Sequence, residues 1–561
     1  MIDKLRLKFG SSIGQPNLEM DVTPVTIFVG PNNSGKSKAL VELENYSNST
    51  GGQPNDLIID KLTFTPYDKE EIEKELSSIK LPPTSGDKLG QGHSIIGKVS
   101  GNQSRRVNAN IESIINQAIN PSQITYNCWY SQFLRLFVIR LDGTNRLNLL
   151  TMQEAGDFQE PPRNLLAKIF TNDSLRDEIR QIIFEALGKY YVIDPTFSGK
   201  LRVRLSDRKP ISTTEERGWG NDSIEFHKAA LEISGSSDGV KAFCGIITTL
   251  LAGDPKITLI DEPEAFLHPA LANILGKDIG KSLRGSNKRL FAATHSSSFL
   301  MGCIQSGTPL NIVRLTYKND VATARLLPKD KILHLMRNPL LRSTGVLNGL
   351  FYESVIVTEA DSDRAFYQEI NERLLASNDE RGIANCLFIN AQNKQTVWDI
   401  VRPLRELGIP TVGVVDIDVI KDGGQVFTKP LDGAFIPPIS HASLHSQKTA
   451  LINAFKATGK DMKKAGGIQL LSKDDQEACN NFFDQFEEYG VFIVRDGELE
   501  SWLKALNITP NKSTWLVEVF KKMGENPGDA EYLNPSNGDV WDFLGNIKKW
   551  IDNPQRKGIP Q

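Results

Sequence analysis

The chain has 561 residues, of which 39% are hydrophobic and 24% charged, and its formal net charge is −3. This composition is typical of a soluble globular protein with about three to four domains, or two large ones with insertions. The small net charge excludes nucleic-acid binding through bulk positive charge, so such binding would have to use local basic patches. No apolar run approaches the ~20 residues of a membrane span, and the first ten residues lack the apolar core of a signal peptide.

Five cysteines are scattered along the chain, and none forms a C-x-x-C pair. An odd number of cysteines without paired spacing argues for reduced thiols and against a disulfide framework or a zinc site. We therefore expect a cytoplasmic protein with no membrane association.

The N-terminal half alternates predicted strands with predicted helices. A helix is predicted from Ser37 to about Tyr46, and residues 161–188 predict two helices with a cap at Asn172–Asp173. Residues 47–110 are polar and rich in Gly, Pro and Ser, which predicts a loop-rich insertion. The segments whose apolar or alternating pattern predicts strands are residues 3–9, PVTIFVG (24–30), KLTFTPYD (61–68), LFVIRLDG (136–143), YYVIDP (190–195), KLRVRLSD (200–207), KITLIDEPE (256–264) and RLFAATHS (289–296).

A second series of elements begins at about residue 350. Helices are predicted over residues 361–376, residues 396–407 and ELESWLKAL (498–506). The predicted strands are SVIVTEA (354–360), CLFINA (386–391), TVGVVDID (411–418) and GVFIVRDG (490–497). Strands that alternate with helices predict an α/β fold with a mostly parallel sheet.

GPNNSGKS (30–37) fits G-x-x-x-x-G-K-[ST] and stands between a predicted strand and a predicted helix, the context that this phosphate-binding motif requires. Gly30 and Gly35 let the backbone curl so that its N–H groups face phosphate oxygens. We expect Lys36 to reach the β- and γ-phosphates of ATP and Ser37 to ligate Mg²⁺. The other loop residues assigned to nucleotide binding are Asn32, Asn33 and Ser34.

The apolar strand KITLI ends in Asp261–Glu262. We expect Asp261 to hold Mg²⁺, directly or through water, and Glu262 to orient or deprotonate the attacking water. Taken alone, the Asp261–Glu262 pair could be an ordinary solvent-exposed end of a strand. The upstream phosphate-binding loop favours an ATPase.

These two motifs resemble those of the ABC-type ATPases. EISGSSDGV (232–240) lies just upstream of the Asp–Glu strand, where that class has its signature loop. The resemblance assigns Ser234, Ser236 and Gly239 to nucleotide contacts, although the usual pair of adjacent glycines is missing because Gly235 is followed by a serine. This loop completes the nucleotide site of a partner subunit in that class, which implies a homodimer or a higher homo-oligomer.

His295, in ATHS (293–296), stands where the ABC-type class has its switch histidine near the γ-phosphate. The alternative is that His295 is an ordinary polar residue at the end of a strand. The sequence has no long coiled-coil insertion, which disfavours a cohesin-like or double-strand-break-repair ATPase. A transporter ATPase would lack the C-terminal α/β region.

Three predicted strands of the C-terminal region end in carboxylates. In open α/β sheets, ligands bind at the carboxyl ends of strands. Residues two apart on a strand point to the same face, so neighbouring acids would repel each other unless a cation lay between them. Hard oxygen ligands suit Mg²⁺ or Mn²⁺. The acids at the three strand ends are Glu359, Asp361 and Asp363, then Asp416 and Asp418, then Asp496, Glu498 and Glu500.

A glutamate at one strand end, followed by D-x-D at another, resembles the Toprim fold of topoisomerases, bacterial primases and certain nucleases. An ABC-type ATPase followed by a C-terminal Toprim domain resembles the OLD (overcoming lysogenization defect) family of nucleases, which includes Gabija-type and retron-associated anti-phage nucleases. The resemblance implies an α/β architecture in which a P-loop ATPase domain with a helical insertion precedes a Rossmann-like Toprim domain. The implied segments are 1–155 (ATPase, first part), 156–195 (helical insertion, possible dimerisation element), 196–345 (ATPase, second part) and 350–561 (Toprim nuclease domain with a C-terminal extension).

Carried over residue by residue, the OLD resemblance implies two metal ions that clamp the attacking water and the leaving 3′ oxygen of a phosphodiester. Glu359 and Asp363 would hold one ion, Asp416 and Asp418 the other, and Glu500 would be an additional acid. Together with Glu262 and His295 of the ATPase part, Glu359, Asp416 and Asp418 form the expected catalytic set.

Family members also use a lysine near the C-terminus. Lys548 or Lys549 could fill this role here, with a solvated helix face as the alternative. His441 and His445 are spaced i, i+4 like metal ligands, but no third ligand accompanies them and a surface role is favoured.

We therefore expect an ATP-regulated, metal-dependent DNA endonuclease or nickase that acts in phage defence. Its partners would be DNA, a second copy of the chain, and either a helicase-like protein or a retron RNA–DNA with its reverse transcriptase. The alternatives are a DNA-bound ATPase with a non-cleaving Toprim module, a topoisomerase- or primase-like enzyme, and a nuclease that ATP only inhibits. Candidate DNA contacts are Arg105, Arg106, the strand 200–208 and the C-terminal QRKG.

Overall fold

The computed structural model describes the chain except for residues 49–54, 85, 101–102, 122–127, 338, 340–344, 422, 509–513 and 561. The described chain divides into two compact units, Met1–Lys329 and Asp330–Gln561. Each unit has its own sheets and its own hydrophobic core. Within the described residues, none of the helices is both long and apolar enough to cross a lipid bilayer.

The first unit is built from strands and helices that alternate along the chain. Its strands are β1 (Ile2–Leu7), β2 (Glu19–Asp21), β3 (Val25–Val29), β4 (Ile59–Phe64), β5 (His93–Ser100), β6 (Gln103–Asn110), β7 (Val138–Leu141), β8 (Gln153–Glu154), β9 (Tyr190–Asp194), β10 (Lys200–Ser206), β11 (Leu231–Glu232), β12 (Ile257–Asp261), β13 (Arg289–Ala293), β14 (Leu310–Lys318) and β15 (Val321–Leu326). Its helices are α1 (Lys36–Asn48), α2 (Lys69–Ser78), α3 (Ile111–Ile119), α4 (Leu165–Thr171), α5 (Asp173–Leu187), α6 (Thr213–Arg217), α7 (Asn221–Ala229), α8 (Asp238–Ala252), α9 (Pro269–Leu283) and α10 (Ser297–Gln305).

A six-stranded sheet in the order β15-β14-β3-β13-β12-β7 forms the centre of this unit. All neighbouring pairs are parallel except β14 and β15. The central strands are continuous apolar runs, because helices such as α1 cover the sheet. Asp261 lies opposite Ala293, and Ala293 lies opposite Phe28. The carboxyl ends of β12, β13 and β3 therefore meet at one edge, and the strand predictions for all three are confirmed.

The insertion that the sequence predicts to be loop-rich contains more regular structure than expected. In addition to β4 it holds α2 and the antiparallel hairpin β5–β6. Their apolar side chains are few and separated by polar residues, yet Ile72, Leu76 and Ile96 are buried in the unit's core. The prediction of loop was wrong here because short elements with so few apolar residues show no clear period.

The predicted boundary between α4 and α5 is confirmed. The side chain of Asn172 accepts a hydrogen bond from the backbone N–H of Leu175 at 3.0 Å, which caps the second helix. These helices neighbour an antiparallel sheet in which β10 pairs with β8, β9 and β11.

The second unit begins with α11 (Lys329–Arg337), which starts at the division between the units. Its strands are β16 (Ser354–Thr358), β17 (Cys386–Asn390), β18 (Thr411–Asp416) and β19 (Val491–Val494). Its other helices are α12 (Asp361–Ala376), α13 (Lys394–Glu406), α14 (Gly424–Gly433), α15 (Pro438–Ala457), α16 (Lys473–Glu487), α17 (Trp515–Met523) and α18 (Asp539–Asp552).

These four strands form a parallel sheet in the order β17-β16-β18-β19. Val357 lies opposite Gly413, and Asp416 lies opposite Val494. The segments that follow β16, β18 and β19 therefore leave the same edge of the sheet. The strand predictions for this sheet and the helix prediction for residues 361–376 are confirmed.

The helix predicted for ELESWLKAL is wrong. The segment forms two short 3-10 turns, Leu499–Ser501 and Lys504–Leu506. Trp502 and Leu503 are buried in the core, and Leu503 has a left-handed backbone, with φ of 51°. Its N–H donates to the carboxylate of Asp539, so tertiary contacts override the local helical pattern.

Candidate nucleotide and metal sites

The glycine-rich loop joins β3 to α1. Gly30 has φ of +141° and Gly35 has φ of +92°, so both use backbone conformations that favour glycine. A Cβ at Gly30 would lie 2.0 Å from the carbonyl oxygen of Leu315. The loop also contains Asn32 and Asn33, both exposed.

Lys36 is buried and its ammonium folds back onto the loop. It donates to the carbonyl oxygens of Gly30 at 2.9 Å and Pro31 at 2.6 Å, with the hydroxyl of Ser34 at 3.4 Å. Burial lowers the pKa of Lys36 to about 8, although nearby carboxylates such as Asp261 oppose the shift. The loop therefore holds a desolvated cation where a phosphate would supply the missing negative charge.

Ser37 and Asp261 lie together, as expected for two Mg²⁺ ligands. The Ser37 hydroxyl donates to Asp261 Oδ1 at 2.9 Å. Burial raises the pKa of Asp261, while the hydrogen bond from Ser37 lowers it. The next residue, Glu262, has φ of 49°, and its backbone N–H donates to the carbonyl oxygen of Ala293 at 2.8 Å. The strand order thus brings the P-loop and the Asp–Glu pair to one edge.

His295 follows β13, next to the Asp–Glu strand. Burial lowers the pKa of its imidazole, and so does the charge of Lys36, whereas the charge of Glu262 raises it. Its backbone N–H donates to Glu264 Oε1 at 2.8 Å, and the hydroxyl of Thr294 donates to Glu264 Oε2 at 2.7 Å. The sequence analysis missed Glu264, although D-E-P-E placed it two residues after Glu262.

The three signature-like residues assigned to nucleotide contacts, Ser234, Ser236 and Gly239, differ in their local contacts. The hydroxyl of Ser234 donates to Glu232 Oε1 at 2.8 Å. Ser236 has a buried hydroxyl with no hydrogen-bond partner in the part of the chain that the structure describes. A Cβ at Gly239 would lie 2.5 Å from the carbonyl oxygen of Phe266, so this glycine allows α8 to approach the segment after β12.

Three carboxylates converge at the edge of the parallel sheet in the second unit. Glu359 follows β16, Asp416 ends the neighbouring strand β18, and Asp418 lies just beyond. One oxygen of each lies within 4.8 Å of the others, and within the described residues this is the only such group of three or more metal-ligating side chains. Glu359 Oε1 accepts a hydrogen bond from the backbone N–H of Asp416 at 3.0 Å, which fixes the two strand ends together.

The expectation that Asp416 and Asp418 share one face of a strand is wrong. The strand ends at Asp416, and Asp418 belongs to a 3-10 helix, Ile417–Lys421. The carboxylates converge because the chain turns directly after β18. Ile417 donates its N–H to the carbonyl oxygen of Gly497 at 3.1 Å, which holds this turn against the segment after β19.

Lys463 is the counter-ion of this cluster, and the sequence analysis missed it. Its ammonium lies 2.6 Å from Asp416 Oδ2 and 3.7 Å from Asp418 Oδ2. Lys394 adds a second ammonium 3.4 Å from Asp418 Oδ2. Lys463 lies after α15 in DMKKAGG, a segment with no motif or periodic pattern that could have assigned it to the site.

Burial and mutual repulsion dominate the electrostatics of the cluster. Burial and the charge of Asp416 raise the pKa of Glu359 to about 8. Burial raises the pKa of Asp416 to about 6, against the opposing charge of Lys463. These acids would bind protons readily near neutral pH unless cations neutralised them.

The cluster fits a divalent cation. Its donors are hard carboxylate oxygens, which suit Mg²⁺ or Mn²⁺. Asp418 Oδ1 is buried and has no hydrogen-bond partner among the described residues. A buried oxygen without a partner is unfavourable, and a metal ion would satisfy it.

Asp363 and Glu500 are neighbours beside the cluster. Asp363 Oδ2 accepts a hydrogen bond from the backbone N–H of Ala360 at 3.0 Å, at the start of α12. Burial raises the pKa of Asp363, and the charge of Glu500 raises it further. The three acids that converge most closely are therefore Glu359, Asp416 and Asp418, with this pair outside that group.

The contacts of Lys548 and Lys549 lie on their own helix. Lys548 pairs with Asp552, and Lys549 donates to Asn546 Oδ1. Among the lysines that the structure describes, Lys463 pairs with Asp416. The two histidines of α15 also have structural contacts: the ring of His441 bonds the carbonyl oxygen of Ile436, and His445 packs edge-on against Phe427.

Most of the candidate DNA-contacting arginines already have partners. Arg202 and Arg204 pair with the buried Asp194, and Arg208 pairs with Glu215. Arg105 donates to the carbonyl oxygens of residues 135 and 138. Arg106 pairs with the carboxylate at position 87. Contacts of these guanidiniums with DNA would have to compete with the internal ones.

Two family models match the chain. Residues 157–301 match an AAA domain described as a putative AbiEii toxin of a type IV toxin–antitoxin system, and this range includes Asp261, Glu262 and His295. Residues 350–418 match the TOPRIM domain of overcoming lysogenization defect protein-like proteins, a range that includes Glu359 and ends at Asp418. The chain thus combines a match to an AAA ATPase domain with a C-terminal match to an OLD-like TOPRIM domain, a pairing that matches an OLD-family nuclease. The OLD-like pair implies use of a nucleotide and of a divalent metal.

Parts of this OLD-like chain are also similar to solved SMC head domains. The SMC head bound to the C-winged helix domain of ScpA is 14% identical, with 59% of this chain and 99% of that chain covered and a TM-score of 0.32. The SMC head of Thermotoga maritima is 12% identical, with 58% and 99% covered and a TM-score of 0.30. The SMC head of Pyrococcus furiosus, bound to the C-terminal domain of ScpA, is 12% identical, with 60% and 98% covered and a TM-score of 0.32. No curated protein matches the chain.

Proposed function

We propose that the chain is an ATP-hydrolysing, metal-dependent DNA endonuclease or nickase that acts in anti-phage defence. The observation that carries the proposal is the convergence of the carboxylates of Glu359, Asp416 and Asp418 at one edge of the sheet, within an OLD-like Toprim domain. Asp418 also has a buried carboxylate oxygen, Oδ1, without a hydrogen-bond partner among the described residues. The defence role rests on the resemblance to Gabija-type and retron-associated nucleases. A helicase-like protein or a retron RNA–DNA with its reverse transcriptase would be the partner.

Glu359, Asp416 and Asp418 would hold Mg²⁺ or Mn²⁺, and Asp363 with Glu500 would add carboxylates beside them. Divalent ions bound there supply a Lewis acid for the phosphodiester and lower the pKa of a coordinated water. The adjacent β16 and β18 fix the first two acids, since Asp416 donates its N–H to Glu359. Rigid strand ends thus hold the ligands in place before substrate binds.

Lys463 would position the substrate. The surrounding carboxylates raise the pKa of its ammonium despite burial, so it stays charged at neutral pH. Its ammonium lies 2.6 Å from Asp416 Oδ2. When other cations neutralise the acids, this ammonium can donate to a phosphodiester oxygen and keep the scissile bond next to the carboxylates.

The ATPase part would bind ATP at the loop 30–37 and hydrolyse it with Glu262, while His295 faces the γ-phosphate. Ser37 and Asp261, 2.9 Å apart, would ligate Mg²⁺. Dimerisation through this part would complete the nucleotide site with the signature-like loop of a second copy. Nucleotide occupancy would then gate cleavage.

The nuclease proposal is tested by incubating supercoiled plasmid with the purified chain and Mg²⁺ or Mn²⁺, with and without nucleotide. We expect nicked product from the wild type, and a loss of at least about 100-fold in the Asp416→Asn/Asp418→Asn variant. Asp432→Asn, at an exposed position of α14, is the matched control. Absence of nicking by the wild type under all nucleotide conditions would favour a non-cleaving Toprim module. Accumulation of a covalent protein–DNA adduct would favour a topoisomerase-like enzyme.

The role of ATP is tested with Lys36→Ala and Glu262→Gln. Hydrolysis and nicking are measured side by side for each variant. If hydrolysis drives cleavage, Glu262→Gln lowers both rates. If bound ATP only inhibits cleavage, Lys36→Ala raises nicking while hydrolysis falls.

A further inference from the structure

Arg146 lies beneath the Asp261–Glu262 turn. It belongs to a 3-10 turn, Asn145–Asn148, that follows β7, the strand next to β12. The residue is 0% exposed, and all three nitrogens of its guanidinium donate to backbone carbonyl oxygens. The acceptors are Asp142 at 2.8 Å, Glu262 at 2.6 Å and Asp261 at 2.5 Å.

The turn that Arg146 holds has an unusual backbone. Glu262 has φ of 49°, a left-handed conformation that non-glycine residues rarely adopt and that persists only when the surroundings enforce it. Its N–H donates to the carbonyl oxygen of Ala293, and its carbonyl oxygen accepts from Arg146 at 2.6 Å and from the N–H of Ala265 at 2.9 Å. These hydrogen bonds fix the peptide units on both sides of Glu262, and hence the direction of its side chain.

Arg146 also balances charge. Burial lowers the pKa of the Arg146 guanidinium, and the charges of Glu264, Asp142, Asp261 and Glu262 oppose that shift. The guanidinium donates its hydrogen bonds to backbone carbonyl oxygens and not to side chains. The carboxylates of Asp261 and Glu262 therefore stay available for a metal ion and a water molecule. A buried arginine that directs all its donors to the backbone is suited to setting geometry.

The backbone of Arg146 contacts α8, the helix that the signature-like loop precedes. A Cβ at Gly245 would lie 3.0 Å from the carbonyl oxygen of Arg146. The absence of a side chain at Gly245 therefore lets α8 pack directly on the turn that carries Arg146. Arg146 links α8 to the Asp261–Glu262 turn.

We propose that Arg146 is a positioning residue for ATP hydrolysis, which holds Glu262 in its left-handed conformation and couples this turn to α8. The inference rests on the proposed hydrolysis of ATP by Glu262. Arg146 acts through Glu262 and makes no contact with nucleotide itself.

The test compares ATP hydrolysis by the Arg146→Met and Arg146→Lys variants of the whole chain with that of the wild type. We expect kcat for ATP hydrolysis to fall by about 100-fold in the methionine variant, because a small displacement of a catalytic group has effects of this size. The affinity for a fluorescent ADP analogue should stay within about twofold, since the P-loop is untouched. Lysine should restore only part of kcat, because one ammonium cannot replace three donors at three carbonyl oxygens.

Arg180→Met is the matched control. Arg180 is also a buried arginine, which donates to the carbonyl oxygen of Tyr191 at 3.1 Å and pairs with Asp177 and the buried Glu216, away from the Asp–Glu turn. The melting temperature of Arg180→Met should fall at least as far as that of Arg146→Met, but its kcat per folded molecule should stay unchanged. If Arg146→Met and Arg180→Met had equal kcat values while Glu262→Gln was inactive, the positioning role of Arg146 would be overturned and the catalytic role of Glu262 would stand.

The double variant Arg146→Met/Glu262→Gln separates positioning from general damage. If Arg146 acts through Glu262, the double variant hydrolyses ATP no more slowly than Glu262→Gln. A further multiplicative loss would overturn the proposal. Unchanged hydrolysis in Glu262→Gln itself would overturn both the proposed catalytic role of Glu262 and the inference built on it.

Discussion

The ammonium of Lys463 lies 2.6 Å from Asp416 Oδ2, and both side chains are mostly buried, with 19% and 16% of their surfaces exposed. A lysine therefore supplies the cation that neighbouring carboxylates at strand ends require. It neutralises only part of the cluster, since Asp418 Oδ1 has no hydrogen-bond partner within the described chain. The arrangement combines a lysine counter-ion with a buried carboxylate oxygen that a further cation would satisfy.

Replacement of Lys463 by methionine should destabilise the chain in the absence of divalent ions. Removing one partner of a buried ion pair costs about 3 kcal/mol, because it leaves Asp416 without the ammonium that pairs with it. Mg²⁺ should then stabilise the variant more than it stabilises the wild type, since the ammonium no longer competes for Asp416. The measurement is urea unfolding of both proteins with and without Mg²⁺.

Lys464→Met is the control for this prediction, because Lys464 is the exposed neighbour in sequence. It should unfold like the wild type and respond equally to Mg²⁺. An identical Mg²⁺ effect in Lys463→Met and the wild type would contradict the placement of the ion among these acids.

The sequence predicted those site residues whose position follows from local pattern. The P-loop, the Asp261–Glu262 pair and the acids after β16 and β18 all follow apolar strands, and parallel strands bring such ends to one edge. Lys463 could not be found this way, because a distant contact places it. A Cβ at Gly497 would lie 2.2 Å from the carbonyl oxygen of Lys463, so this glycine lets two loops approach closely.

Arg146 and the segment after β19 were missed for the same reason. The acceptors of Arg146 are carbonyl oxygens of a distant turn, and no side-chain pattern in the sequence marks them. The segment around Leu503 has a helical pattern, yet Asp539 and the core hold it in two separate turns. In both places, contacts between residues far apart in the sequence determine the local structure.

Asp194 should make stability depend on pH in the acid range. Burial alone would raise the pKa of this carboxyl group, but hydrogen bonds from Thr196 and Arg204 lower it from 3.8 to about 2. The unfolded chain then binds more protons than the folded chain between these values. The contribution of Asp194, about 2 kcal/mol, is therefore complete above about pH 4 and is lost as the pH falls towards 2.

The test of the Asp194 prediction is urea unfolding between pH 2 and 6 for the wild type and Asp194→Asn. The difference between the two should shrink as the pH falls, because the wild-type carboxylate becomes protonated. Asp207→Asn, whose side chain is 82% exposed, should show no comparable trend. A constant difference for Asp194→Asn across the range would contradict the lowered pKa.

Gly413 lets β18 lie directly against Trp398. A Cβ at Gly413 would approach Cη2 of the indole to 2.8 Å and Val397 Cγ1 to 3.2 Å. Gly413→Val should destabilise the second unit by about 1–3 kcal/mol through overpacking, and it should weaken Mg²⁺ binding because β18 ends in Asp416. Thermal unfolding and calorimetric Mg²⁺ titration measure the two effects. Gly423→Ala, whose added Cβ meets nothing within 4 Å, should change neither stability nor Mg²⁺ binding. Intact Mg²⁺ binding in a destabilised Gly413→Val would contradict the expected link between the packing of β18 and the metal site.

Arg405 should be the most sensitive arginine of the second unit. It is fully buried on α13 and donates to the carbonyl oxygens of Thr411 at 2.8 Å and Gly490 at 3.1 Å. Two further acceptors are the carbonyl oxygens of residues 434 and 558, so one guanidinium joins four chain segments. Arg405→Met leaves these buried acceptors without donors and should cost at least about 3 kcal/mol, since each orphaned group contributes about 1–3 kcal/mol.

The Arg405 prediction is checked by urea unfolding, with Arg402→Met as its partner on the same helix. The side chain of Arg402 is 53% exposed, pairs with Glu406 and lies over the ring of Phe435 at 5.8 Å, so its loss should change stability by less than about 1 kcal/mol. Because Arg405 joins the first residue of β18 to the residue before β19, its methionine variant should also bind Mg²⁺ more weakly at Asp416 and Asp418. Stability equal to that of Arg402→Met would show that water replaces the guanidinium at the four carbonyl oxygens.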